Sequence, residues 1–344
     1  MDDIARLGAK DRADLFSTAA TRRGDMLSAL VEKDFWVCWT LKRVFTLQDS
    51  PAGLIFKGGT SLSKVYQAID RFSEDVDLSF DRSALGFGDE KDPARASSRN
   101  QTEKRLKALS AACQEMIRAK YIPLLETAFQ KALGTAPSQT TWRVELDKDD
   151  PDQQTVLFHY PPGIPDRETA TAPDIRLEFG ARGEQWPAEQ ATVTSYAAQV
   201  EPKPFKEASC EVKVLAIERT FWEKATILHA WHHLPQSKPL PERQSRHYFD
   251  LAKLYEKGHG EKALANLGLL MSVAAHKSIF FRSPPAKYEE AVPGTLRLLP
   301  TPQRRKELEI DYAKMRQMIF GEVPPLDHVF DVLSELERKI NEKR

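Results

Sequence analysis

The chain has 344 residues, with 50 Lys and Arg against 50 Asp and Glu, and is 41% hydrophobic and 29% charged. This length corresponds to about two domains. The composition excludes a disordered chain, and the zero net charge excludes a protein that holds nucleic acid by bulk charge. The longest nearly apolar run, Leu267 to Ala275, falls far short of the ~20 residues of a membrane-spanning helix. The start of the chain has no basic segment leading into an apolar one, so no secretory signal is expected and the expected compartment is cytoplasmic. Cys38, Cys113 and Cys210 are odd in number, widely spaced and without a CxxC pair, which supports neither a disulfide framework nor a zinc knuckle.

In chain order, residues 10–47 read as helices, with Phe35, Val37, Trp39, Leu41 and Val44 on a broad apolar face. Leu54-Ile-Phe-Lys is a short buried strand closed by Gly58-Gly59, after which Thr60 or Ser61 is expected to cap a helix to about Ile69. From Asp75 to Phe80 the pattern alternates strictly: Val76, Leu78 and Phe80 on one face, Asp75, Asp77 and Ser79 on the other. Residues 97–133 read as one or two helices broken near Pro123. From Arg95 to Lys120 seven basic residues stand against two acids, whereas Glu145 to Asp152 sums to −4. That acidic segment joins Trp142–Leu146 to Thr155–Tyr160 as a predicted hairpin.

Ile175, Leu177 and Phe179 repeat the one-sided strand pattern, with Arg176 and Glu178 on its polar face, and Cys210–Val214 reads as a last short strand. Beyond it the predicted elements are helices at about 215–233, 246–257, 261–280, 302–319 and 326–342. Neither an internal repeat nor a low-complexity segment is found.

Backbone amides at a strand-to-helix Gly58-Gly59-Thr60-Ser61 turn can cradle a phosphate, although a GG turn also serves as a plain tight connection. Two carboxylates at i and i+2 on one strand face, Asp75 and Asp77, repel each other unless a cation lies between them. Such a pair suits the metal ions of phosphoryl-group chemistry. Glu178 supplies a third carboxylate if its strand neighbours the first; a solvated Arg176/Glu178 face is the alternative. Lys224 falls on the helical stripe Ile217, Phe221, Lys224, Leu228, placing a cation, or a snorkelling lysine, where an apolar residue is expected. His229, His232 and His233 share a helix end without any further ligand motif, so zinc is not expected. No Walker-type or GxSxG motif is present.

Four segments in order, FKGGTSLSKVY, RFSEDVDLSF, ERTFWEKATILH and SRHYFDLAKL, spanning Phe56 to Leu254, resemble the AbiEii/AbiGii-type toxins of the nucleotidyltransferase superfamily. The resemblance implies an α/β (α+β) fold, a mixed sheet flanked by helices with a mainly helical C-terminal region. Residues 1–210 would form the core, with a basic helical insertion at about 95–135, and residues 211–344 a helical domain contributing Lys224 and Asp250. It implies a Mg²⁺-dependent transfer of a nucleoside monophosphate from an NTP to an RNA hydroxyl, such as a tRNA 3′ end, and inhibition by a cognate antitoxin. Asp75 and Asp77 would bind the metal, and Gly58, Gly59, Thr60, Ser61, Arg71 and Ser73 the nucleotide. Lys224 would neutralise the triphosphate, while Glu178 or Asp250 would orient or deprotonate the acceptor. Relatives often carry an acid directly after the arginine matched by Arg246, where this chain has His247. A small-molecule or protein acceptor, or a silent nucleotide-binding regulator, are the alternatives.

Overall fold

A computed structural model describes residues 1–48, 53–134, 142–164 and 173–343. The chain divides into two compact units: the first takes residues 1–65, 72–92 and 103–214, and the second residues 66–71, 93–102 and 215–344. Two short segments inside the region expected to form the core are thus counted with the helical unit.

The first unit holds a seven-stranded mixed sheet: β1 (Leu54–Lys57), β2 (Val76–Phe80), β3 (Arg143–Leu146), β4 (Thr155–His159), β5 (Asp174–Gly180), β6 (Ala188–Thr194) and β7 (Ser209–Leu215), in the order β3-β4-β5-β2-β1-β7-β6. Its helices are α1 (Asp2–Ala5), α2 (Ala9–Arg23), α3 (Ser28–Thr46), α4 (Gly58–Lys64), α6 (Ile122–Leu133), α7 (Tyr196–Val200) and most of α5 (Arg99–Met116). The predicted alternation decides which sheet face is covered. Val76, Leu78 and Phe80 are buried, as are Val156, Phe158, Ile175, Leu177 and Phe179 on the neighbouring strands. Phe80 stacks on Phe179 at 5.2 Å, and Phe158 meets Trp39 of α3 at 5.5 Å and Phe129 of α6 at 4.5 Å. Full burial of each such side chain is worth about 1.5–3 kcal/mol. Repulsion between two surface carboxylates is about 1 kcal/mol in water at 4 Å, so β2 can carry its acids on the other face.

Pro123 does not break the long helical stretch abruptly. Residues Ile117–Tyr121 form a π-helical turn, and Pro123 then sits in the first turn of α6, where a missing N–H costs nothing. Helix α4 differs from expectation at both ends: it starts at Gly58 and stops at Lys64, with Thr60 and Ser61 inside it.

The second unit is helical: α8 (Ile217–His232), α9 (Ser245–Glu256), α10 (His259–Leu264), α11 (Leu267–Phe280), α12 (Pro302–Met315) and α13 (Leu326–Glu342). The single helix expected over 261–280 is interrupted because Asn266 leaves helical geometry and its side chain caps α11 at the amide of Leu269. α8 packs on α9, α10 and α11, and α9 packs on α12 and α13. No helix among the described residues is long and apolar enough to cross a membrane.

Candidate functional site

Asp77 and Glu178 lie on the polar face of the sheet, opposite the face that buries Val76, Leu78 and Phe80. β2 pairs in parallel with β5 so that Asp77 stands opposite Glu178, and antiparallel with β1 so that Asp77 also stands opposite Lys57. Directly opposed residues project to the same face. Lys57, Asp77 and Glu178 therefore form one row across three strands, with Thr155 of β4 next to Glu178. Arg176 lies two residues before Glu178 on this face, and its guanidinium bonds to the buried Asp147 at 2.9 Å. A second ion pair, Lys33 to Glu74 at 2.7 Å, joins α3 to the residue preceding Asp75.

The glycine turn abuts this row. Gly58 has φ +81°, and a Cβ there would collide with the Asp77 carboxylate. Glycine is thus required twice at one position, for backbone conformation and for the close approach of an acid. The Thr60 hydroxyl reaches the carbonyl of Asp75 at 2.5 Å and the hydroxyl of Ser73 at 3.0 Å, and the Ser61 hydroxyl donates to the carbonyl of Gly58 at 2.9 Å. Both residues are buried; Thr60 ties the turn to the entry of β2, and Ser61 closes the turn on itself. The far end of α4 is fixed by the fully buried Lys64, which donates to Asp34 Oδ1 at 2.6 Å, while Asp34 Oδ2 accepts the amide of Tyr196 at 2.6 Å. Burial opposes a charge on Lys64, and the Asp34 carboxylate overrides it.

In the second unit a buried cluster gathers Arg71, Lys224, His247 and Asp250. Arg71 grips Asp250 with two bonds of 2.7 Å, from Nε to Oδ1 and from Nη2 to Oδ2, and Lys224 Nζ donates to Asp250 Oδ2 at 2.8 Å. Lys224 therefore does not snorkel: it turns into the protein from the apolar stripe of α8 because α9 presents a carboxylate there. Burial alone would push the Asp250 carboxyl up, but Arg71 and then Lys224 hold it well below the usual carboxylate range. Burial pushes Lys224 down, and Asp250 offsets this only in part. His247 Nδ1 lies 3.5 Å from Lys224 Nζ, and burial followed by that ammonium keeps the ring neutral. Arg71 also lines a cavity of about 200 Å³ with Glu242, Arg243, Arg246, Asp311, Lys314, Met315 and Met318.

His229 and His232 of α8 bond to backbone groups, and the ring of His233, which follows the helix, packs against both at 4.7 and 5.0 Å. Arg297 N donates to His229 Nδ1 at 3.0 Å, so His229 Nε2 carries the proton it gives to the Lys287 carbonyl at 3.1 Å. Burial pushes its pKa down to about 4. His232 contacts the carbonyl of Leu299 at 2.7 Å.

The sequence-derived candidates thus fall into two sets. Gly58, Gly59, Thr60, Ser61, Ser73, Asp75, Asp77 and Glu178 belong to the first unit, and Arg71, Lys224 and Asp250 to the second. Arg176, Asp147 and Lys33 were not singled out as candidates. For Arg176 the available signal was its place two residues before Glu178 on a one-sided strand; for Lys33, inside an apolar helix, there was none. Among the described residues no group of three or more His, Cys, Asp or Glu is gathered closely enough to hold a metal ion. That is compatible with Mg²⁺, which keeps several waters and binds through one or two carboxylates plus substrate phosphates. The donors on this face are hard carboxylate oxygens, which suit Mg²⁺ or Mn²⁺ over softer metals.

Acids on adjoining sheet strands, set against a glycine turn that opens a helix, are an arrangement suited to nucleotidyl transfer, and a match to a family model makes the chain a nucleotidyltransferase. Residues 39–334 match the family model described as nucleotidyl transferase AbiEii toxin, type IV toxin–antitoxin system, and the chain belongs to that family. Membership in a toxin–antitoxin family brings with it a cognate antitoxin as partner. Among solved structures, the chain is similar to MenT4, a nucleotidyltransferase toxin from Mycobacterium tuberculosis H37Rv, with a TM-score of 0.46 and 14% identity over 96% of this chain and 99% of that one. Among curated proteins nothing matches.

Proposed function

We propose that the protein transfers a nucleoside monophosphate from an NTP to an RNA hydroxyl, with Mg²⁺ held at Asp75 and Asp77. The observation that carries this reading is the row of Asp77 and Glu178 on paired parallel strands, with Gly58 cleared of a side chain beside Asp77. Bound Mg²⁺ would neutralise charge on the triphosphate and the departing pyrophosphate.

The chain's own residues divide the remaining work. Backbone amides of the Gly58-Gly59 turn face phosphate, while the Thr60, Ser61 and Ser73 hydroxyls hold that turn in shape. The acceptor oxygen attacks the α-phosphorus, the bond to pyrophosphate breaks, and the hydroxyl proton passes to a carboxylate. Glu178 suits that role, being partly exposed. Asp250 does not: both its oxygens are engaged by cations that keep it ionised. Asp250 instead orients Lys224, and Arg71 keeps Asp250 in place.

The test is incubation with each α-labelled NTP, Mg²⁺ and total RNA, resolved on a denaturing gel. Label is expected in RNA with the wild type and absent with Asp77→Asn. Near-wild-type labelling by Asp77→Asn would overturn the metal assignment. Label in protein or a small molecule would move the acceptor to those classes, and NTP binding without any labelling would leave a nucleotide-binding regulator.

A further inference from the structure

We infer that Arg176 is a built-in counter-cation for the acids of the first unit, occupying by charge the place a divalent ion would neutralise, so that Arg176 and the ion compete. The inference rests on the reading of Asp75 and its neighbours as the metal-binding acids.

Three carboxylates surround this guanidinium, and they are not equivalent. Nη2 makes a true charge-assisted bond to Asp147 Oδ2 at 2.9 Å. Nε stands 3.9 Å from Asp75 Oδ1 and 3.8 Å from Glu178 Oε1, beyond hydrogen-bonding reach of both and nearly midway between them. The firm contact is therefore with an acid outside the candidate set, and the contact with the candidate acids is one of charge alone. Asp147 is suited to be a tether. It is buried, its Oδ1 accepts the amide of Asp149 at 3.0 Å, and its own amide donates to the carbonyl of Thr155 at 2.9 Å. The Arg176 side chain is 39% exposed, so its outer edge can leave the acids without unpacking the core.

This arrangement answers a physical problem of the metal-free protein. Asp77 on β2, Asp75 just before that strand and Glu178 across the ladder carry like charges, which repel one another. A tethered guanidinium sets a positive charge beside these acids, and a divalent ion that binds them must work against that charge.

Two substitutions separate competition from plain structural support, because they are expected to act in opposite directions. Arg176→Gln removes the competing charge, and Asp147→Asn removes the tether that draws the guanidinium away from Asp75 and Glu178. With Mn²⁺ alone, followed by loss of the free-ion electron paramagnetic resonance signal, Arg176→Gln is expected to bind about tenfold more tightly than wild type and Asp147→Asn more weakly, as charges about 4 Å apart on a partly screened surface allow. Arg176→Lys, which keeps a positive charge, is expected to return affinity toward wild type. Melting temperatures without metal should fall for Arg176→Gln and recover more on Mn²⁺ addition than wild type gains. Unchanged Mn²⁺ affinity in Arg176→Gln, or weaker binding in both variants, would overturn the inference while leaving the metal site standing. Failure of the wild type itself to bind Mn²⁺ would instead overturn the metal site.

Discussion

Lys224, Asp250 and Arg71 illustrate how one carboxylate can serve two buried cations unequally. Asp250 is fully buried and receives two bonds from Arg71 and one from Lys224. Removing the acid strands two cations, and breaking a buried pair in this way costs about 3–5 kcal/mol. Removing Lys224 leaves Asp250 in its bidentate pair with Arg71, and a methionine suits the apolar stripe of α8. Lys224→Met is therefore expected to cost less than Asp250→Ala, since the buried carboxylate keeps its bidentate partner Arg71. Both variants are expected to lose transfer. Urea unfolding of the two proteins checks this; equal losses of stability would show that Lys224, not Arg71, is the main partner of Asp250. The cation on the α8 stripe was legible in the sequence because it interrupts an apolar period. Arg71 was not legible as the partner of Asp250, because the two residues meet across 179 positions of chain and no local pattern records such a contact.

At the scale of elements, alternation and turn chemistry carried most of the fold. β1, β2, β5 and β7 were readable because each buries one face or lies between neighbours. β6 went unread: only Val193 of its seven residues is buried, so this terminal strand of the sheet carries no apolar alternation. The start of α4 was placed two residues late because Thr60 and Ser61 have the chemistry of caps, yet their hydroxyls bond to Asp75 and Gly58 and the turn is made by the left-handed Gly58. Gly58 offers a sharp test. Alanine with positive φ costs roughly 1–2 kcal/mol, and at Gly58 it must also displace the Asp77 carboxylate. Gly24, which ends α2 with φ +78° and has nothing within 4 Å of its would-be Cβ, carries the strain alone. Gly58→Ala is expected to lose more stability than Gly24→Ala, and only Gly58→Ala should lose transfer, by about 10²-fold or more, as misplacing a reacting group by about 1 Å does. Comparable transfer by the two variants would show that the approach of Gly58 to Asp77 is immaterial to the reaction.

Over the molecule as a whole, zero net charge conceals a local asymmetry that bears on the proposed RNA acceptor. The basic stretch from Arg95 to Lys120 and the acidic one from Glu145 to Asp152 are separate in sequence but meet in the fold. Gln114 donates to the carbonyl of Asp152 at 2.8 Å, Gln154 to the Ser110 hydroxyl at 3.1 Å, and Arg118 bonds to Gln153. The acidic turn thus offsets the later part of the patch. At the earlier part Arg105 is half-buried and donates to the Asp92 carbonyl at 2.7 Å, whereas Lys104 and Lys107 are exposed. Arg95, Arg99, Arg118 and Lys120 are exposed as well, so Lys104 and Lys107 are two of six basic side chains of this stretch that are open to solvent. Each phosphate contact contributes about 0.7–0.9 to the slope of log K against log salt, the lower value for single strands. Lys104→Glu with Lys107→Glu is therefore expected to flatten the salt slope of RNA binding by about 1.4–1.8, while Arg105→Gln should lower stability with little change in slope. Fluorescence anisotropy with labelled RNA between low and moderate salt reads both. NTP binding measured in parallel should be the same in all three proteins, because neither lysine belongs to the glycine turn or the acid row. A slope unchanged by the double reversal would return Lys104 and Lys107 to ordinary solvated surface and send the search for the acceptor surface elsewhere in the chain.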